Sequence, residues 1–120
     1  MTSRWEGLPI ALLEAMSLGI PSVVSDCSEG IRDLWQLPAA DIDNRKEGLL
    51  ALKTSFGVLM PLSIDDSKVA EDWAQEVEKL LRDPVQRARC ANACRRRAND
   101  YDIDRVTELW THLIAPNIRV

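Results

Sequence analysis

The sequence is poor in the residues that most often carry chemistry: 120 positions hold one histidine, one phenylalanine, one tyrosine and three cysteines. A lone histidine, His112, has no partner in its neighbourhood of Leu109, Trp110 and Leu113, so it reads as a partly exposed structural residue rather than a proton shuttle. The cysteines, Cys27, Cys90 and Cys94, are odd in number and widely spaced, which argues against a disulfide framework. Cys90 and Cys94 are four apart and share a predicted helix face. Zinc needs four ligands, or three and water, and one histidine with no second cysteine pair does not complete that set. They read as small buried side chains between helices, and no metal is expected. No apolar run approaches the ~18 residues of a membrane span. The opening "MTSRWEGLP" lacks the basic-then-apolar order of a signal peptide, so the expected location is cytoplasmic. A net charge of −4 gives no general attraction to nucleic acid.

What is present is an ordinary globular composition, 46% hydrophobic and 28% charged, of a size for one domain over 1–120. Residues 9–18 predict a helix with Ile10, Ala11, Leu12, Leu13 and Met16 on a broad apolar surface, Pro9 in its first position and Gly19 as its left-handed stop. "PSVVSD" (21–26) predicts a strand covered on both faces, and "EGIRDLWQL" (29–37) a second helix. Residues 38–56 predict turns and a short helix around 47–52. "FGVLMPL" (56–62) predicts a second strand. Three helices follow. The first, 65–83, is capped by Asp65, Asp66 and Ser67 and striped by Val69, Trp73, Val77 and Leu80. The second, 84–99, has the small stripe Ala88, Ala91, Cys94 and Ala98. The third, 103–115, has Ile103, Val106, Leu109, Trp110 and Leu113 facing the core, with Pro116 as its stop. Two parallel strands with helical crossovers are part of a doubly wound α/β sheet, which normally has about six strands. No strand is expected ahead of Glu6. The edge of strand 21–26 is therefore expected to be open and Leu12, Leu13 or Met16 to be partly wet, favouring self-association or a missing half.

The stretch "WEGLPIALLEAMSLGIPSVVSD" carries the functional signal. The residue before Pro9 is Leu8, which cannot cap a helix, so the free N–H groups of the first turn need another partner. Gly7 removes side-chain bulk in front of them. Exposed N–H groups at the positive end of a helix favour an anion, with phosphate the obvious candidate. Glu6 on the loop and Glu14 inside the helix supply carboxylates that suit vicinal hydroxyls. Together they could bracket a molecule built of sugar, diphosphate and ribose. The ordinary reading makes Glu6 a helix-end charge and Glu14 a solvated one. A glycosidase acid and nucleophile also fit the spacing, but such a pair has no use for an anion-binding helix end.

The stretch resembles the E-x7-E segment of the family 4 glycosyltransferases, the glycosyl transferases group 1, and the likeness continues through "EGIRDL" (29–34) and "GVLMPL" (57–62). It covers almost the whole chain and implies the C-terminal part of a GT-B donor domain: α/β, partial Rossmann-like, with few parallel strands and a helical C-terminal segment. It further implies that Glu6 meets the transferred sugar and is the catalytic residue. Backbone groups of Gly7, Leu8, Pro9 and Ile10 meet the sugar and diphosphate, and Glu14 meets the ribose. The reaction implied is retaining transfer from a UDP- or GDP-linked sugar, with no cofactor and no metal, in glycan or glycolipid synthesis. Two features depart from the family. The stretch from Gln36 to Ser55 is longer than usual, and the Arg/Lys pair that grips the diphosphate has no counterpart; neither does the N-terminal acceptor domain. The alternative is therefore a catalytically inactive or split nucleotide-sugar-binding module needing a partner chain, and the chain alone is expected to lack turnover.

Trp35 and Trp73, like Trp110, fall on apolar stripes and are expected in the core, whereas Trp5 could line a site. The basic residues Arg82, Arg87, Arg89 and Arg95–Arg97 have two readings. One is peripheral contact with anionic lipid headgroups; the other, preferred, is a solvated helix face. The run has no interleaved aromatics, so single-strand nucleic-acid binding is not expected.

Overall fold

The computed structural model describes residues 1–37, 51–61 and 67–115. In chain order the elements are α1 (Ile10–Ser17), β1 (Ser22–Ser25), α2 (Glu29–Leu34), β2 (Leu52–Lys53), β3 (Gly57–Met60), α3 (Ser67–Arg82), α4 (Pro84–Ala98), a 3-10 turn (Asn99–Tyr101) and α5 (Ile103–Ile114). The fold is mixed α/β. Its sheet has the order β1-β3-β2, with β1 parallel to β3 and β2 antiparallel to it.

β1 and β3 pair in register, Val24 opposite Leu59. Alternation sends those two into a core with Leu12 and Met16 of α1, Ile31 and Leu34 of α2, and Cys94 and Ala98 of α4. Val58 and Met60 point to the other face and are buried as well. α3 packs over β1 and β3. The sheet is thus covered on both sides, which is why "SVVS" and "GVLM" are nearly continuous rather than alternating. The close pairing of the strands depends on Gly57. Its φ is +150°, and a Cβ there would meet the Ser22 carbonyl oxygen at 2.0 Å.

Several expectations change. β2 occupies the end of the segment read as a helix over 47–52; residues 47–50 lie outside the described residues, as do Asp65, Asp66 and Pro116. The turn from β2 into β3 is closed by backbone and side chain together: Thr54 N donates to Gly57 O at 2.8 Å, and Thr54 Oγ1 accepts from Phe56 N at 3.0 Å and donates to Gly57 O at 3.1 Å. Pro9 is the N-cap of α1, with ψ of 101°, not its first helical residue. α2 is shorter than expected, and Trp35 follows it as a buried residue. On α3, Val77 and Leu81 are exposed, and the inward stripe passes through Glu76 instead. On α4, Cys90, Cys94 and Ala98 are buried and Ala88 is not. The largest correction is α5, where Ile103, Leu109, Trp110 and Leu113 are all exposed rather than core.

α1 is covered on one side: Leu12 is 3% and Met16 1% exposed, because α4 packs against them, while Leu13 is half-buried, as expected for part of this surface. The outer edge of β1 is not bare either. Met1 N donates to Val23 O at 2.6 Å and Ser25 N donates to Met1 O at 3.0 Å, the slanted pattern of a parallel ladder.

α4 ties the helices together through three of its arginines. Arg87 Nη1 donates to Leu80 O at 3.2 Å at the end of α3. Arg95 Nη2 donates to Leu18 O at 3.1 Å at the end of α1. Arg97 donates to Leu34 O at 3.0 Å and Asp33 O at 2.9 Å at the end of α2. Each guanidinium satisfies carbonyls that a helix leaves unpaired, at the negative end of its dipole.

Candidate functional site

The segment leading to Glu6 leaves the sheet at the carboxyl end of β1. Residues 1–3 run alongside the strand, and Ser25 Oγ donates to Ser3 O. The chain then turns across the end of the sheet and packs on the start of α2. Gly30 makes this contact possible. A Cβ on it would meet Gly7 O at 2.0 Å, and Ser28 Oγ donates to the same oxygen at 3.4 Å. Ser28 also caps α2 by accepting from Ile31 N at 3.2 Å. The glycine of "EGIRDL" is therefore a steric requirement of the Glu6–Pro9 loop.

The loop delivers the chain into α1. Leu12 N and Leu13 N donate to Pro9 O at 3.0 and 3.1 Å, and no side chain caps the helix. The uncapped end expected from Leu8-Pro9 is present. α1 closes in a Schellman arrangement, with Gly19 at φ +71°, Gly19 N bonded to Met16 O and Ile20 N bonded to Ala15 O. Leu12 and Met16 face the core, which turns Ile10, Ala11 and Glu14 outward on one open face.

Glu6 is half-buried on the loop and Glu14 is exposed on α1. Neither side chain forms a hydrogen bond or ion pair among the described residues. The ordinary reading, in which Glu6 serves the end of α1, would have its side chain bonded to that helix, and it is not. Gly7 has open space where a side chain would be, so the backbone here is approachable. Leu8 and Ile10 are exposed and Pro9 is buried. Trp5 is 90% exposed. The structure therefore brings the uncapped helix end, Gly7 and the two carboxylates to one end of the parallel pair.

Arg32 stands at this end of the sheet and is engaged. Arg32 Nε pairs with Asp26 Oδ1 at 2.6 Å and its Nη1 with Glu29 Oε1 at 2.7 Å, fixing the turn after β1 to α2. Sequence reasoning missed this pair. The signal was a carboxylate and an arginine six apart across a strand-to-helix turn.

The remaining singled-out residues have structural places. Cys94 is fully buried, its thiol donating to Phe56 O at 3.3 Å. Burial pushes that thiol up to about 11, with the neighbouring Cys90 adding to the effect. His112 lies exposed on α5, 3.8 Å from Glu108. Among the described residues no helix is long and apolar enough to cross a membrane.

Comparison with known proteins points the same way. The family description "Glycosyl transferases group 1" matches residues 1–37. An uncharacterized glycosyltransferase of Methanocaldococcus jannaschii is 31% identical over 98% of this chain and 30% of its own length. One from Haemophilus influenzae is 23% identical over 95% of this chain and 26% of its own. A lipopolysaccharide 1,6-galactosyltransferase of Salmonella typhimurium is 59% identical over 34 residues, which is 28% of this chain and 10% of its own. No solved structure gives a significant match. The chain spans under a third of the length of these relatives. The family match falls on the segment that builds the uncapped helix and its two carboxylates, residues 1–37, and it is this part of the chain that is similar to the glycosyl transferases group 1.

Proposed function

We propose that residues 1–120 are the C-terminal part of a GT-B nucleotide-sugar-binding domain, and that Glu6–Glu14 form part of its donor site. The observation that carries this reading is the conjunction at the carboxyl end of β1 and β3. An uncapped α1, an approachable Gly7 backbone and two carboxylates without partners among the described residues meet where open α/β sheets bind ligands. The first-turn N–H groups of α1 receive the diphosphate, and Gly7 to Ile10 supply the backbone around it. Glu14, on the same open face as Ile10, takes the ribose hydroxyls. Glu6, on the loop ahead, takes hydroxyls of the transferred sugar and is the catalytic residue.

In retaining transfer the nucleoside diphosphate leaves as negative charge builds on it. Helix N–H groups fixed before the reaction stabilise that charge without reorganising. The donor is a UDP- or GDP-linked sugar and the acceptor a glycan or glycolipid, met in the cytoplasm or at the periphery of a membrane. Acceptor binding falls to the N-terminal domain of the longer enzyme. The rival reading, an inactive or split binding module, shares this half-site and differs only in needing a partner chain for turnover.

The test is titration calorimetry with UDP and GDP. Glu14→Ala is expected to weaken binding by about 1.5–3 kcal/mol, as for loss of a charged hydrogen-bonding group. Glu6→Ala is expected to leave nucleoside diphosphate affinity nearly unchanged and to lower turnover in the enzyme completed with its N-terminal half. Equal affinity in wild type and Glu14→Ala would remove the ribose role.

A further inference from the structure

α4 has five arginines, and three of them, Arg87, Arg95 and Arg97, are occupied at the ends of other helices. The remaining two, Arg89 and Arg96, make no hydrogen bond or ion pair among the described residues. They are seven positions apart, two helical turns or about 10 Å along one face. Both line the same feature, an open groove between α4 and the β2–β3 turn. Lys53 lines it from the opposite wall and is likewise without a counter-charge among the described residues. The exposed side chains of Ser55 and Asn92 lie on the same two walls.

This groove is not the donor site. The turn at Thr54–Phe56 precedes β3, so it stands at the amino end of the parallel pair, whereas Glu6 and Pro9 stand at the carboxyl end. Among the described residues one acid lines the groove, Asp100, and it already faces Arg97 at 3.0 Å and Arg105 at 3.1 Å. Three uncompensated cations therefore gather in one hollow of a chain whose net charge is −4. A cluster of one sign in a hollow raises the local potential and attracts an anion.

We propose that the groove binds a diphosphate-bearing ligand, with the forks of Arg89 and Arg96 holding its phosphates and Lys53 closing from the β2 side. The chemistry favours phosphate over an isolated carboxylate. Guanidinium groups bind phosphate through paired N–H donors, and two of them at this spacing converge on a compact dianion. Ser55 and Asn92 add neutral donors on either wall. The groove is open to solvent, so the ligand is one that keeps part of itself outside: a soluble diphosphate or a phosphorylated headgroup at a lipid surface. This inference stands apart from the proposed donor site and uses none of its residues.

The probe is inorganic pyrophosphate, titrated into the isotopically labelled full chain and followed by NMR. Shifts are expected at 53–55 and 89–96, weakening as salt is raised. Arg89→Gln with Arg96→Gln is expected to reduce this affinity at least tenfold with unchanged thermal unfolding. Arg82→Gln, a charge removal outside the groove, is expected to leave it alone. Shifts confined to Gly7–Glu14, an unaltered affinity in the double variant, or equal weakening by Arg82→Gln would each overturn the proposal. Sedimentation with phosphatidylcholine vesicles, with and without phosphatidic acid, separates the sources. Capture by the acidic vesicles that the double variant loses assigns a headgroup. No capture, with pyrophosphate still bound, assigns a soluble ligand.

Discussion

α1 and α5 make opposite use of their apolar residues. α5 has the regular stripe, Ile103, Val106, Leu109, Trp110 and Leu113, with charges between. Yet Leu109 is 67% and Trp110 57% exposed. α1, "IALLEAMS", has a broad and weakly sided apolar surface, and it buries Leu12 and Met16 almost completely. The difference lies in what packs on each helix. α4 lies against α1, and Arg95 ties the two through the Leu18 carbonyl. α5 touches mainly the 3-10 turn before it. Amphipathic spacing says that a helix needs a partner; it does not say that the partner lies within these 120 residues.

The sharpest way to break this contrast is a pair of truncations. Met16→Ala removes a fully buried side chain from between α1 and α4, and an expected loss of about 2–5 kcal/mol follows from transfer and cavity terms. Leu109→Ala is expected to shift unfolding by less than about 0.5 kcal/mol, as for an exposed residue. Urea unfolding of both variants checks this. A cost in Leu109→Ala similar to that in Met16→Ala would mean that α5 is packed in solution.

The arginines sharpen the same contrast at a smaller scale. Arg97 reaches Leu34 O, Asp33 O, Asp100 and the Tyr101 hydroxyl, and stacks over the Tyr101 ring at 4.9 Å. Arg97→Ala leaves the end of α2 without its donors and is expected to cost about 2–3 kcal/mol. Arg96→Ala, one residue earlier, is expected to be near neutral. Thermal unfolding of the two variants side by side decides, and equal effects would deny the tie to α2.

A pH scan reads the buried face of α4. The folded-state value of the Cys94 thiol is raised to about 11, above its ordinary 9.0. Between those values the unfolded chain gives up the proton and the folded chain keeps it, so stability falls as pH rises. The contribution is fully present below pH 9 and lost through about 11, amounting to about 3 kcal/mol. Cys94→Ala is expected to flatten the scan in this window, whatever its constant cost at lower pH.

Much of this was legible in the chain and the rest was not, for reasons that differ by element. α1 announced itself because Pro9 and Gly19 frame it locally, and the uncapped start followed from Leu8. β1 and β3 were legible as apolar β-branched runs bounded by Pro21 and Pro61. β2 is two residues long and has no pattern of its own; its pairing with β3 and the turn that Thr54 closes on Gly57 define it. The arginine ties of α4 could not be read at all. The carbonyls they reach are 63 to 77 positions away for Arg97 and Arg95, and nothing local distinguishes Arg95 from Arg96. For the candidate site, the residue types and their order were legible. What was not is why Gly30 belongs to it, since its contact with Gly7 depends on the turn of the whole strand-to-helix unit.

α5 also yields the prediction with the smallest effect on folding. Its exposed face is continuous over three turns, and apolar patches of that extent mark surfaces meant to be covered. Its polar positions, Asp104, Arg105, Glu108 and His112, carry both signs, so the helix is not the basic amphipathic kind that seeks anionic lipid. A second protein surface is the better match. In the chain alone the available surface is another α5, and two such helices pack through interdigitating leucines and tryptophans. Leu109→Glu with Leu113→Glu is therefore expected to change thermal stability little and to abolish concentration-dependent self-association in light scattering. Replacing the apolar residues exposed on α1, Ile10 and Leu18, is expected to leave that association intact. If instead the α1 variants dissolve the assembly and the α5 variants do not, the open surface that matters is the one beside Glu6 and Glu14, and the contrast between the two helices is reversed.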